Sequence, residues 1–161
     1  MSISPDPSPQ ADSPGVIVFP PLLYLVALAA GGLAHWLSPR PIVAPLAGHW
    51  VGGVLLALGV ALGWWAQRTM KAAGTHIDPR RPSTALVRTG PFRFGRNPLY
   101  VAVTAIYLGL AFLINGVCVL LTLVPVLVVM HYGVVRREER YLESKFGAAY
   151  REYRASVRRW L

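Results

Sequence analysis

Residues 99–135 read LYVAVTAIYLGLAFLINGVCVLLTLVPVLVVMHYGVV, and no Asp, Glu, Lys or Arg interrupts them. At about 1.5 Å per helical residue, such a run is too long for one bilayer crossing, which takes roughly 20 residues. Asn115-Gly116 in its middle is a turn signal. The stretch therefore predicts two apolar helices, 98–114 and 117–135, joined by a tight hairpin and kinked near Pro125. Whether the shorter first helix takes the hairpin tip fully across is left open by its length. A soluble protein of 161 residues cannot bury such a hairpin together with the other apolar segments, but a bilayer can.

Working outward, two further apolar runs precede it. Residues 16–37 and 48–67 each suffice to span, and between Gly15 and Ala66 only Arg40 carries a fixed charge. Trp36 and Trp50 flank the short proline-rich turn between these runs, and Trp64 and Trp65 close the second. Indole rings prefer the headgroup level, so the four tryptophans mark both membrane faces. The fold class expected is all-α: a polytopic integral membrane protein of about four transmembrane helices, occupying residues 15–135. Residues 1–14, rich in Pro, Ser and Asp and free of Lys and Arg, are expected to be a disordered tail rather than a signal peptide.

The basic residues are confined to two blocks. The polar stretch 68–97 holds seven Lys or Arg, residues 136–161 hold eight, and the short turn holds only Arg40. Blocks of this kind beside apolar spans report topology, so the net charge of +9 does not indicate a nucleic-acid partner. The positive-inside rule places both blocks in the cytosol, and an even number of spans places both termini there. The expected location is a bacterial inner (plasma) membrane. A loop of about 30 residues without helical or strand period is commonly functional. In 136–161 the apolar residues recur every three or four positions, as in an amphipathic helix lying on the membrane or on the loop, bent or broken at Gly147.

The charged blocks contain the candidate chemistry. In Arg96-Asn97-Pro98-Leu99-Tyr100, Asn is a preferred N-cap and Pro a preferred first helical residue, which on the plainest reading only starts a helix. A helix N-terminus with free N–H groups is also an anion site, and the Arg96 fork beside it matches a carboxylate or phosphate. Glu138 and Glu139 are either a solvated face paired with the neighbouring arginines, or one of them turns to the loop to hold an ammonium or ribose hydroxyls. His35, His49, His76 and His131 have no metal-ligand spacing and Cys118 is alone, so no metal is expected. There is no P-loop, dinucleotide fingerprint or nucleophile elbow.

The run Leu86-Val87-Arg88-Thr89-Gly90-Pro91-Phe92-Arg93-Phe94-Gly95-Arg96-Asn97-Pro98-Leu99-Tyr100 resembles the signature of the membrane methyltransferases, the isoprenylcysteine carboxyl methyltransferases and phospholipid N-methyltransferases. The similarity continues through Glu138-Glu139-Arg140-Tyr141-Leu142, Phe146-Gly147 and Tyr150-Arg151-Glu152-Tyr153, covering about residues 74–161. It implies S-adenosylmethionine as methyl donor, with cofactor contacts at Leu86, Val87, Phe92, Asn97, Pro98, Tyr100 and Glu138. Arg96 and Glu139 are the candidate catalytic residues, Glu139 as the nearest base for an amine acceptor. Asn97 stands where the family has His, Ala102 where it has Gly, and Val134 where the eukaryotic carboxyl methyltransferases have a substrate-linked Arg. The acceptor is expected to be a small amphiphile or lipid, carboxylate or amine, entering from the bilayer between helices. The competing readings are an NADPH-dependent membrane reductase and a non-enzymatic lipid-binding protein.

Overall fold

A computed structural model describes residues 13–160, which are helical with no strand among them. Helix α1 spans Pro20–Leu37, α2 Pro45–Ala72, α3 Pro98–Ile114 and α4 Val117–Val129. A π-helical segment, Met130–Val135, continues α4 into α5 (Arg136–Phe146), and α6 covers Ala148–Ser156. Three of the helical stretches are long and apolar enough to cross a membrane, and α3, at 17 residues, is a shorter apolar helix. The protein is a polytopic membrane protein. The tail expected over 1–14 lies outside the described residues except for its last two.

Side chains face outward into lipid rather than inward to a large core. Leu22, Leu25, Leu58, Leu121 and Val124 are all exposed, as a lipid-facing surface requires. Tryptophans stand out at both helix ends, Trp36 and Trp50 at one and Trp64 and Trp65 at the other. The interior is closed by small residues. A Cβ on Gly52 would lie 2.8 Å from the Gly109 carbonyl oxygen, one on Gly59 2.8 Å from the Ile106 amide nitrogen, and one on Gly109 2.7 Å from the Leu56 amide nitrogen. Helices α2 and α3 thus touch backbone to backbone, which only glycine permits. The second pair, α1 and α4, meets at Gly31, where a Cβ would be 2.7 Å from the Val119 Cα.

Hydrogen bonds tie the ends. The hairpin residue Asn115 sits in the left-handed region (φ 54°). Its Oδ1 accepts from the Ile42 and Val43 amides at 2.9 and 3.1 Å, and its Nδ2 donates to the Val43 carbonyl at 2.8 Å. The turn signal read at 115–116 is thus also a clasp on the α1–α2 connection.

Two details depart from the sequence reading, and the break expected at Gly147 is present. Helix α2 continues five residues past Gln67, with Arg68 lying over the Trp64 ring 5.4 Å from its centroid. The helix after Val117 keeps α geometry through Pro125 and loosens only at Met130, where the Gly133 carbonyl accepts from the Ile17 amide at 3.2 Å. The C-terminal segment is two helices, α5 and α6, because Gly147 adopts φ +53°. It packs on the 68–97 loop. The Tyr153 hydroxyl donates to the Phe92 carbonyl at 2.6 Å, and Arg88 pairs with Glu152 at 3.4 Å.

Candidate active site

Residue by residue, the site grows from the start of α3. Gly90, at φ +58°, turns the chain against Thr69 and leads into a short 3-10 turn over Gly90–Arg93. The turn buries Pro91 and Phe92, and Phe92 joins Val87 and Ala66 in a small apolar cluster with Met70 and Leu99 packed on it. That cluster fixes Arg96 and Asn97 at the helix start. Across from them α5 presents Glu138 and Glu139, and α6 presents Tyr150 and Tyr153. Leu86, Val87, Phe92, Arg96, Asn97, Glu138, Glu139, Tyr150 and Tyr153 line one cavity. Its volume is about 60 Å³, room for roughly two waters.

Seven of the nine residues named from sequence therefore meet around one space. Pro98 is buried as the first residue of α3 and does not line it. Tyr100 reaches its edge only through its hydroxyl, which donates to Glu138 Oε2 at 2.8 Å.

The charges are arranged asymmetrically. Arg96 Nη2 lies 3.2 Å from Glu139 Oε1, and both side chains are at most one-tenth exposed. Arg159 grips the same carboxylate from the far side, Nε to Oε1 at 3.0 Å and Nη2 to Oε2 at 2.8 Å. These bonds hold the Arg159 guanidinium charged by raising its pKa. The triad carries one net positive charge, and Arg96 Nε is buried without a hydrogen-bond partner. Glu138, by contrast, has no cation partner among the described residues. Its carboxyl is pushed above the usual carboxylate range, chiefly by desolvation. The Tyr100 hydrogen bond opposes this and the neighbouring Glu139 adds to it. Burial raises the Tyr150 and Tyr153 hydroxyls to about 12, so at neutral pH both stay protonated.

Two expectations change here. Glu139, the expected base, is held by two guanidiniums and is an anchor for Arg96; the carboxylate left for a ligand is Glu138. Asn97 occupies the N-cap position but makes no side-chain cap bond. Its Nδ2 instead donates to the Arg159 carbonyl at 2.9 Å, while the Arg96 amide donates to the Arg158 carbonyl at 2.9 Å. An extended strap after α6 thus closes the helix start. Arg159 gave no signal in the sequence, lying among eight basic residues of one block. Tyr150 and Tyr153 were legible as part of an apolar face and of the family resemblance, but not as walls of the site.

The described residues thus form an all-helical membrane fold with a basic loop folded over a charged cavity. The phospholipid methyltransferase family profile matches residues 47–149, more than half of the chain, and the chain belongs to that family. Among its relatives is the cobalt-zinc-cadmium resistance protein CzcN of Cupriavidus metallidurans, 33% identical over 99 residues, which cover 62% of this chain and 45% of that protein. Another is an uncharacterized protein of Haemophilus influenzae, 36% identical over 63 residues, 39% of this chain and all of the relative. The chain spans less than half the length of the Cupriavidus protein. No solved structure matches.

Proposed function

We propose that this methyltransferase takes its methyl group from S-adenosylmethionine and passes it to a membrane-partitioned, lipid-like acceptor at the cytosolic face. The observation that carries the donor is the pair of opposite handles in one cavity. A net-positive cluster with an unpartnered Arg96 Nε stands beside a carboxyl, Glu138, without a cation. The amino-acid end of adenosylmethionine is a zwitterion that presents one carboxylate and one ammonium, and the two handles match it in charge. Leu86, Val87 and Phe92 offer apolar surface for the rest of the donor. Small-molecule sites generally measure about 300–1,000 Å³. The cavity must therefore widen on binding.

The bound donor supplies an activated methyl group on a sulfonium. The acceptor's lone pair forms the new bond to carbon while the carbon–sulfur electron pair returns to sulfur. The protein's part is to hold the reacting groups in line and exclude water. Arg96 orients the donor's carboxylate, Glu139 and Arg159 hold Arg96, and Tyr100 orients Glu138.

Location in a bacterial inner membrane with cytosolic termini is supported by the placement of 15 of the 16 basic residues in the two blocks that meet at this site. The family match favours the methyltransferase reading over the reductase and scaffold readings. The test is equilibrium binding of radiolabelled adenosylmethionine and of NADPH to purified protein. We expect saturable binding of the first only. Arg96→Ala and Glu138→Gln should each weaken it at least tenfold in folded protein. Binding of NADPH instead, or wild-type affinity in both variants, would overturn the reading.

A further inference from the structure

The last turns of α2 border a surface groove of about 550 Å³. Trp64, Trp65, Arg68 and Thr69 form one wall of it, and Thr89 and Gly90, from the loop, form the other. Trp64 and Trp65 are both exposed, so the groove opens at the depth where indole rings settle, that of the lipid headgroups. Phe94, also exposed, has its ring centroid 6.4 Å from that of Trp65, which brings the loop to the same level. The floor is bare because residue 90 is glycine. A Cβ there would lie 2.6 Å from Thr69 Oγ1 and 3.3 Å from the Trp65 indole nitrogen.

Charge around this groove is unbalanced. Arg68 lies over the Trp64 ring, Lys71 follows it three residues on along the same helix, and Arg93 lies over the Phe94 ring, 5.0 Å from its centroid. All three are exposed. The carboxylates of the described residues are engaged elsewhere. Asp78 is held by Arg80, Glu139 by Arg96 and Arg159, Glu143 by Arg154 and Glu152 by Arg88, while Glu138 accepts from the Tyr100 hydroxyl. Arg68, Lys71 and Arg93 therefore stand without an acid among the described residues. Together they outweigh the half-charge of opposite sign at the C-terminus of α2. A guanidinium fork matches two phosphate oxygens, and basic residues just outside a membrane helix attract anionic headgroups. The tryptophans decide the source of the phosphate: a soluble anion gains nothing from them, whereas a lipid lays its glycerol and upper chains against them.

We propose that the groove at the end of α2 binds an anionic phospholipid, with its phosphodiester on Arg68, Lys71 and Arg93 at the rim, and its chains passing Trp64 into the bilayer. No residue lining this groove lines the cavity of Arg96 and Glu138, so the lipid is a ligand beside the reaction site rather than a substrate in it. The probe is phosphatidylglycerol with a diazirine at the top of one acyl chain. It is photolysed with the full-length protein in phosphatidylcholine nanodiscs, and adducts are mapped by peptide mass spectrometry. A phosphatidylcholine carrying the same diazirine reports labelling without net headgroup charge. Unlabelled phosphatidylglycerol and chain-free glycerol phosphate serve as competitors in separate arms. No methyl donor is present, so the result is independent of the donor reading.

Adducts are expected on Trp64, Trp65 or Thr89, severalfold stronger from phosphatidylglycerol than from phosphatidylcholine. A basic residue near an anionic headgroup is worth about fivefold in affinity. Arg68→Gln and Arg93→Gln should therefore each cut labelling about fivefold, and the double variant about twentyfold. Arg68→Lys, which keeps the charge and loses the fork, should fall less than Arg68→Gln. Arg40→Gln, in the connection between α1 and α2, should change nothing. Unlabelled phosphatidylglycerol should compete at concentrations where glycerol phosphate does not. Three results would overturn the proposal: equal labelling by the two lipids, competition by glycerol phosphate as strong as by the lipid, or unchanged labelling in a double variant that melts as wild type.

Discussion

At the residue scale, the informative side chain is Asn97. From sequence its oxygen caps α3, and Asp would serve as well. In the structure it is 8% exposed and its amide donates to the Arg159 carbonyl. Asn97→Asp would set a carboxylate against that carbonyl, so it should cost about 1–3 kcal/mol rather than nothing. A melting curve in a fixed detergent decides, and an unchanged melting temperature would mean the strap does not hold there. The two loop-side carboxylates give opposite pH signatures. Asp78, drawn down to about 2 first by its Arg80 side-chain hydrogen bonds, contributes stability that is present above 3.8 and lost as pH falls toward 2. Glu138, pushed up by desolvation, contributes stability that is present below 4.5 and lost as pH rises through its elevated folded value. Asp78→Asn should flatten the acid limb of a stability–pH curve, and Glu138→Gln the limb above 4.5. If neither limb changes, these carboxylates are not the groups that titrate.

At the scale of elements, the glycines of the α2–α3 seam outweigh any polar contact between those helices. Gly52→Ala and Gly109→Ala each force a methyl to within 3.0 Å of the facing backbone. Each should destabilise the protein by about 1–3 kcal/mol, the usual cost of overpacking. Gly53→Ala, next in the chain but facing open space, is the control and should be neutral. Equal melting temperatures for the Gly52 and Gly53 variants would remove the seam from the account. The sequence made the apolar runs, the hairpin at Asn115 and the break at Gly147 legible, because each is a local matter of length or backbone freedom. It gave no pairing of α2 with α3, because glycine spacing does not name its partner. The ion triad was equally hidden: Arg96, Glu139 and Arg159 lie in three separate segments, and nothing in a basic block marks which arginine turns inward.

For the whole molecule, topology is the first test. Fusion of a reporter after Leu161 should read cytosolic and insertion near Pro41 exterior, given the 15-to-1 partition of basic residues between the two faces. Identical readings from both would exclude the four-span arrangement. The same partition explains why seven of nine candidate residues converge. The apolar hairpin starts and ends on one face, so the motif before it and the motif after it must return to the same place, whatever the details of packing.

Helices α2 and α3 are unequal partners. With 28 and 17 residues they measure about 42 and 26 Å, against a hydrocarbon slab of about 30 Å. Locked together along the glycine seam, they cannot tilt independently to relieve the difference. A short member whose first turn, at Asn97 and Tyr100, borders the charged cavity is expected to draw the headgroup plane toward it by thinning the bilayer locally. Acyl-chain length thus becomes a control on the enzyme. In nanodiscs of graded lipid thickness, turnover should peak in the thinner ones and fall as longer chains pull the Asn97 end of α3 below the surface. A flat profile would mean that neighbouring lipids, rather than the protein, absorb the strain.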